Sequence, residues 1–193
     1  MTDLNEEYYV LESENNNSYP MIGASLRPRS QGKRLTEEYT LNIYLDDPRP
    51  KKPEYVDFHT SGSTPVVSKK MKDLLEPLNI DGIQFIKGTK GDVIEGLKLE
   101  YYLLHIYSRI ICIDRDKSNI SVGSIGVKDV TSFILDNELL IKTPEEKRLI
   151  FKVREYGVIQ LFHKSIVDII EDAGLKGLRF IPVIKWNDNV AFH

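Results

Sequence analysis

The chain holds a single cysteine in 193 residues, so no intramolecular disulfide shapes its fold. Cys112 lies in the apolar run "RIICIDRD" and reads as a small buried thiol. No apolar run approaches the roughly 18 residues that a membrane span needs. The start, "MTDLNEEYYV", is acidic and has no apolar core, which argues against a secretory signal. Basic residues are not in excess: 26 Lys and Arg face 29 Asp and Glu, for a net charge of −3 and a pI near 5.9. That balance speaks against nucleic acid as the main partner, and the basic run Arg27–Arg34 is short and interrupted. The four histidines, His59, His105, His163 and His193, lack ligand spacing, so no soft metal site is expected. A Walker A loop, a G-x-G-x-x-G turn and a G-x-S-x-G elbow are all missing. The cytoplasm of a cell, most simply a bacterial one, fits this set of absences.

What is present is ordinary for a globular protein, with 41% hydrophobic and 28% charged residues. The length suits one domain over residues 1–193, divisible into two related halves at about 1–95 and 96–193. The reason to consider halves is an internal echo. Ser68–Ile86 and His163–Ile181, 95 positions apart, share six identities in nineteen aligned pairs. They are Lys69/Lys164, Asp73/Asp168, Glu76/Glu171, Gly82/Gly177, Phe85/Phe180 and Ile86/Ile181.

The echo has a mechanical reading. Met71, Leu74, Leu75 and Leu78 recur at helical spacing after a Ser68 cap, as do Ile166, Ile169, Ile170 and Ala173 in the second copy. Asn79 and Gly174 then tolerate the left-handed conformation that ends a helix, bringing Ile80 against Leu75 and Leu175 against Ile170. Gly82 and Gly177 open a strand whose Ile83/Phe85 and Leu178/Phe180 share one face. Pro77 must shorten or distort the first helix. A helix crossover of this length joins parallel neighbours. The shared Asp and Glu positions read as solvated helix-face charges.

Further strands are predicted at Tyr8–Leu11, Tyr39–Leu45, Tyr55–His59, within Gly96–Asp114, and in "VTSFILDNELLI", "RLIFKV" and "YGVIQLF". Residues 20–37 read as irregular and the tail "IKWNDNVAFH" as polar and exposed. The fold class is α+β: a mixed sheet with few helices, containing two related strand–helix–strand units at about 64–87 and 157–183.

Two motifs suggest chemistry and lose on inspection. "HTSGSTPVVSKK" is similar to a phosphate loop of adenylate-forming enzymes, but Pro65 stands where that loop needs glycine, so a turn fits better. Asp114 and Asp116 in "IDRDKS" lack EF-hand spacing and fit a strand-end turn closed by their side chains.

Several landmarks occur in order: "YYVLES", "PVVSKKMKDLLE", "YYLLHIYSRIICIDRDKS" and "LIFKVREYGVIQLFHKSIVDIIEDAGLKGLRFIPV". The set resembles the immunity-protein family numbered eleven among polymorphic toxin systems, over most of the chain. One departure is His163, where the family usually carries a serine helix cap. The resemblance implies a bacterial, non-enzymatic protein without cofactor that binds and neutralises a cognate toxin, delivered for instance by type VI secretion. It implies neither a nucleic-acid nor a membrane partner. Oligomeric state has no signal in the sequence.

Against a basic toxin site, the candidate contacts are the acidic residues Asp46, Asp47, Glu6, Glu7, Asp114 and Asp116, with Trp186 as an apolar anchor. Two alternatives stand beside this reading. One is a small enzyme assembled from His59, His105, Asp114 and Asp116. The other is a binding module unrelated to toxins.

Overall fold

The computed structural model describes residues 3–25, 32–36, 41–61, 63–87, 99–124 and 126–191. Arg27–Gln31 of the basic run, Tyr39 and Thr40 of one expected strand, and His193 lie outside these residues.

The strands are β1 Tyr8–Ser13, β2 Ile22–Ser25, β3 Asn42–Leu45, β4 Phe58–Ser61, β5 Thr64–Ser68, β6 Ile83–Lys87, β7 Tyr101–Ile106, β8 Arg109–Ile110, β9 Asn119–Gly123, β10 Gly126–Ser132, β11 Ile150–Val153, β12 Gln160–His163 and β13 Leu178–Pro182. Among the described residues, four α-helices accompany them: α1 Lys69–Leu75, α2 Asn137–Leu140, α3 Lys164–Asp172 and α4 Asp188–Ala191. The class is α+β, with sheets that are antiparallel apart from the parallel β8–β11 pair.

The echoed segments form the same unit twice. One sheet has the order β4-β5-β7-β6; the other has β11-β12-β1-β13, extended by β8. In each, the strands before and after the helix do not touch, because an antiparallel strand lies between them. The expected parallel neighbours are thus parallel but separated. The inserted strand pairs with both flanks in the same register. Ser68 faces Tyr101 as His163 faces Tyr8, and Phe85 faces Leu104 as Phe180 faces Leu11. The strands β4 and β11 agree too, Phe58 facing Val67 as Ile150 faces Phe162. The inserted strands begin "EYYLL" at Glu100 and "EYYVL" at Glu7, four identities in five.

One strand is displaced in chain order. The inserted strand of the first sheet, β7, follows its unit, whereas that of the second, β1, comes from the start of the chain. The boundary between the sheets therefore does not fall near residue 95.

Alternation along each strand divides the core into layers. Between the sheets lie Val67, Met71, Leu75, Tyr102, Leu104, Phe162, Ile166, Ile170 and Leu11, so both helices pack into one shared core. The outer face of the first sheet (Val66, Tyr101, Leu103) is covered by Ile22, Ala24, Leu41 and Ile43. The outer face of the second (Tyr8, Val10, Leu161, Ile181) is covered by Cys112, Ile113, Phe133, Leu135 and Trp186. Each fully buried aliphatic side chain contributes about 1.5–3 kcal/mol.

The helix ends follow their sequence. Asn79 (φ 49°) and Gly174 (φ 60°) are left-handed, as are Gly82 (84°) and Gly177 (90°). Pro77 ends α1 at Leu75 and leaves a 3-10 turn over Glu76–Leu78. Ser68 Oγ accepts from the Met71 N–H at 3.2 Å. His163 still caps α3, its Nδ1 accepting from the Ser165 N–H at 3.3 Å. Lys69–Asp73 and Lys164–Asp168 are exposed pairs one helical turn apart.

Three local expectations are corrected. Residues 22–25 are a strand, because they pair with Asn42–Leu45 and Gly23 leaves room for the Tyr44 ring. "FILDNELLI" is not all strand: Asp136 accepts from the Leu139 N–H and turns Asn137–Leu140 into α2. The tail is not exposed throughout, since Trp186 is buried.

Candidate functional site

The sequence-nominated residues fall on separate surfaces. Asp46 and Asp47 follow β3; Asp47 is exposed and its carboxylate lies 3.5 Å from Arg49. Glu6 is exposed on a 3-10 turn, while Glu7 is half-buried with its carboxylate 3.7 Å from His163 Nε2. Asp114 closes the turn after β8, as its sequence context suggested: it accepts from the backbone of Asp116 and Lys117 and pairs with Lys117 Nζ at 2.7 Å. The Lys117 ammonium first, and then the backbone bonds, hold the Asp114 carboxyl below its ordinary value. Asp116 is exposed beside it.

Asp3 and Asp136 also act electrostatically on Lys117, so the N-terminal turn and the Asp114 turn share one acidic neighbourhood. Trp186, in the tail expected to be exposed, is buried: its ring meets Phe133 edge-on at 5.3 Å and its Nε1–H donates to Glu12 at 3.0 Å.

The histidines considered for an enzyme are committed to backbone bonds. His59 Nδ1–H donates to Pro20 O at 2.8 Å and Nε2 accepts from the Val56 N–H at 3.1 Å. Burial pushes its pKa down to about 4. His105 Nε2–H donates to the Lys33 carbonyl at 2.9 Å. Asp114 and Asp116 belong to the turn after β8 and share no bond with either ring. Cys112 is fully buried and its thiol is pushed well up by burial. Among the described residues, no group of three or more His, Cys, Asp or Glu side chains is arranged to hold a metal. A cleft of about 540 Å³ lies between the 13–21 loop and Pro48–Pro50, with His59 at its wall.

The seam between the two sheets holds a more informative pair of pockets. The first, about 350 Å³, is lined by Ser63, Leu103–Ile106, Arg109, Lys152 and Val158. The second, about 310 Å³, is lined by Val10–Ser13, Thr60, Ser63, Val158, Trp186 and Asp188. Under the register that relates the sheets, Leu103–Ile106 corresponds to Val10–Ser13, Lys152 to Thr60, and Ser63 to Val158. The pockets are thus one architectural feature occurring twice, but with different charge. His105 takes the place of Glu12, and Lys152 the place of Thr60. Nothing in the linear sequence nominated His105, Arg109 and Lys152 as a group. The pairing of "EYYLL" with "EYYVL" was the available signal, because it aligns the two seams.

No helix among the described residues is long and apolar enough to cross a membrane. No curated protein matches the chain. A family model described as immunity protein family (Imm11) matches residues 4–185, a span that includes every strand given above.

Proposed function

Because the chain belongs to the Imm11 immunity protein family, we propose that it acts by stoichiometric binding to a cognate toxin, in the cytoplasm of the bacterium it protects. The observation that carries this reading is the family match over residues 4–185. The internal engagement of His59 and His105 agrees with a binding role. We propose with it that the toxin belongs to a polymorphic toxin system, such as one served by type VI secretion.

The contact surface is proposed to lie on loops outside the duplicated units. Asp46 and Asp47 after β3, and Glu6, Asp114 and Asp116 around the N-terminal turn, present carboxylates there. They suit a basic toxin surface, steering encounter rather than setting the final affinity. Glu7 is a weaker candidate because its backbone carbonyl accepts from the Lys164 N–H at 2.7 Å and its carboxylate faces His163. Glu100, its counterpart in the first unit, likewise accepts from Lys69 N–H at 3.1 Å.

Co-expression tests the reading. A toxin encoded beside this gene should stop killing when this protein is abundant, and the two should co-purify at a fixed ratio. Continued killing at high expression of folded protein would rule it out. Asp47→Lys and Asp116→Lys should slow association at low salt, roughly tenfold for a well-placed charge, and leave stability within about 0.5 kcal/mol. An unchanged association rate in both variants would move the contact elsewhere.

A further inference from the structure

We propose that β6 is the pairing edge of a homodimer, in which two copies of this chain join their β6 strands antiparallel about a twofold axis at Phe85. The inference goes beyond toxin binding and does not depend on it.

Backbone phase carries the argument. In an antiparallel pair, residues that bond across alternate with residues that turn their N–H and C=O away. Tyr107 N–H donates to Gly82 O at 2.8 Å, and the register continues that phase through Gln84–His105 and Ile86–Leu103. Those residues of β6 therefore bond inward to β7. The other flank of β7 agrees: Lys69 N–H donates to Glu100 O at 3.1 Å, and Tyr102 follows in that phase towards β5. Ile83, Phe85 and Lys87 are left to turn both backbone groups outward. β6 is the last strand of its sheet, and among the described residues no hydrogen bond reaches these outward groups. The strand is also held in place, because the Gln84 amide donates to Leu35 O at 3.1 Å and accepts from Leu35 N–H at 3.0 Å. A fixed edge has little order left to lose on pairing.

The occupant follows from the register. With Phe85 on the twofold axis, Ile83 of one copy lies opposite Lys87 of the other, and every outward N–H and C=O of both strands meets its complement. Phe85, half-buried against the core between the sheets, meets the second Phe85 and extends that core across the junction. β6 starts after the exposed Asp81 and ends at the exposed Lys87. Antiparallel pairing sets these unlike charges towards each other, whereas parallel pairing sets like ones together. Edge lysines commonly block pairing, but the Lys87 ammonium is turned to Glu100 at 2.7 Å.

The duplication supplies an internal control. Glu14 N–H donates to Gly177 O at 3.1 Å, so β13 turns Leu178, Phe180 and Pro182 outward. Pro182 stands where β6 has Lys87. It has no N–H, and its carbonyl accepts from the Trp186 N–H at 3.0 Å. The same self-pairing is closed to β13, so the architecture does not itself require an open edge at this place.

Equilibrium sedimentation over roughly 1–500 μM tests the proposal. Wild type should pass from monomer to dimer across that range. Lys87→Gln loses the Glu100 pair but keeps the N–H, and should dimerise as wild type does. Lys87→Pro gives β6 the residue its twin carries, removing an outward N–H while sparing every bond to β7. It should weaken dimerisation by about tenfold or more. At dilution, where both variants are monomeric, their urea midpoints should agree, which separates lost pairing from lost folding. Hydrogen exchange on wild type locates the contact without either variant. The amides of Ile83, Phe85 and Lys87 should exchange slowly in the dimer and fast in the dilute monomer, while those of Gln84 and Ile86 stay protected in both. A wild type that is monomeric throughout the range, or Lys87→Pro dimerising as tightly as Lys87→Gln, overturns the proposal. Protection of the three amides that arises only when a toxin is added to monomeric protein gives the edge to the toxin and overturns it equally.

Discussion

The hydroxyl of Tyr101 donates to the carbonyl of Val56 at 2.8 Å. Tyr8 does the same to Arg148 at 3.1 Å, and the two carbonyls occupy equivalent positions, two residues before β4 and β11. Burial raises both phenols, that of Tyr8 to about 12, so each stays protonated and a donor. Each bond ties an inserted strand to the segment that leads into β4 or β11. Removing one hydroxyl leaves a buried carbonyl unpaired, at a cost of about 1–3 kcal/mol. Tyr101→Phe and Tyr8→Phe should each lower the urea midpoint accordingly. Tyr44→Phe, on an exposed ring, should stay within about 0.5 kcal/mol of wild type. Equal effects at all three positions would show that the buried bonds contribute little.

The glycines of the second unit should rank by what surrounds them. A Cβ at Gly177 would fall 2.3 Å from Val56 Cγ2 and 2.6 Å from the Phe58 carbonyl, at φ +90°. At Gly174, φ is +60° and nothing lies within 4 Å. Gly174→Ala should therefore cost about 1 kcal/mol, the ordinary penalty of the left-handed region. Gly177→Ala should cost more than about 3 kcal/mol, because backbone as well as side chain must move. Gly82→Ala, whose Cβ would meet Ser108 Cβ at 2.3 Å, should fall between them. Chemical denaturation gives the order; a Gly174 penalty equal to that of Gly177 would contradict the steric argument.

Acid should expose the commitment of His59. Its folded pKa, about 4, lies below its ordinary 6.5, mainly because the ring is buried. The unfolded chain therefore binds this proton first. The contribution is complete above pH 6.5 and is lost as pH falls toward 4, by up to about 3 kcal/mol. His105 is shifted in the same direction and adds to the slope. His59→Gln cannot take up the proton. It should be less stable than wild type at pH 7, because it gives up the imidazole bonds, yet lose less stability between pH 6.5 and 4. Parallel stability profiles for the two proteins would show that His59 titrates normally.

Much of the duplicated unit was legible because its signals are local. A proline at position 77, an asparagine at 79 and glycines at 82, 174 and 177 each constrain a backbone angle whatever surrounds them. The solvated pairs Lys69–Asp73 and Lys164–Asp168 are local in the same sense. The inserted strand was not legible, because strand partnership is non-local and the two copies differ in chain order. "EYYVL" sits before its unit and "EYYLL" after it, so a search at a fixed spacing of 95 passes over a match at 93. The exposure expected of the tail around Trp186 was misread for a related reason. Its polar neighbours suggest exposure, but Phe133 and Glu12, distant in sequence, close over it. The seam pocket depends on three strands meeting, which no single stretch of sequence records.

The displaced strand makes a final prediction about chain order. β1 occupies between β12 and β13 the place that β7 holds between β5 and β6, and nothing in its pairing requires it to precede β2. Leu4, just before β1, shares a core cluster with Val183 and Trp186, just after β13. A flexible linker of roughly ten residues spans such a gap at small entropic cost. A permuted chain opened in the exposed loop after Glu14, with residues 3–14 joined behind residue 191, should therefore fold cooperatively, with near-native near-ultraviolet circular dichroism. Omitting residues 3–14 altogether strips β12 and β13 of their shared partner and should abolish the cooperative transition. If the permuted chain fails where the parent folds, the link from β1 through residues 14–21 is itself part of the fold. The correspondence between β1 and β7 would then describe geometry without describing independence.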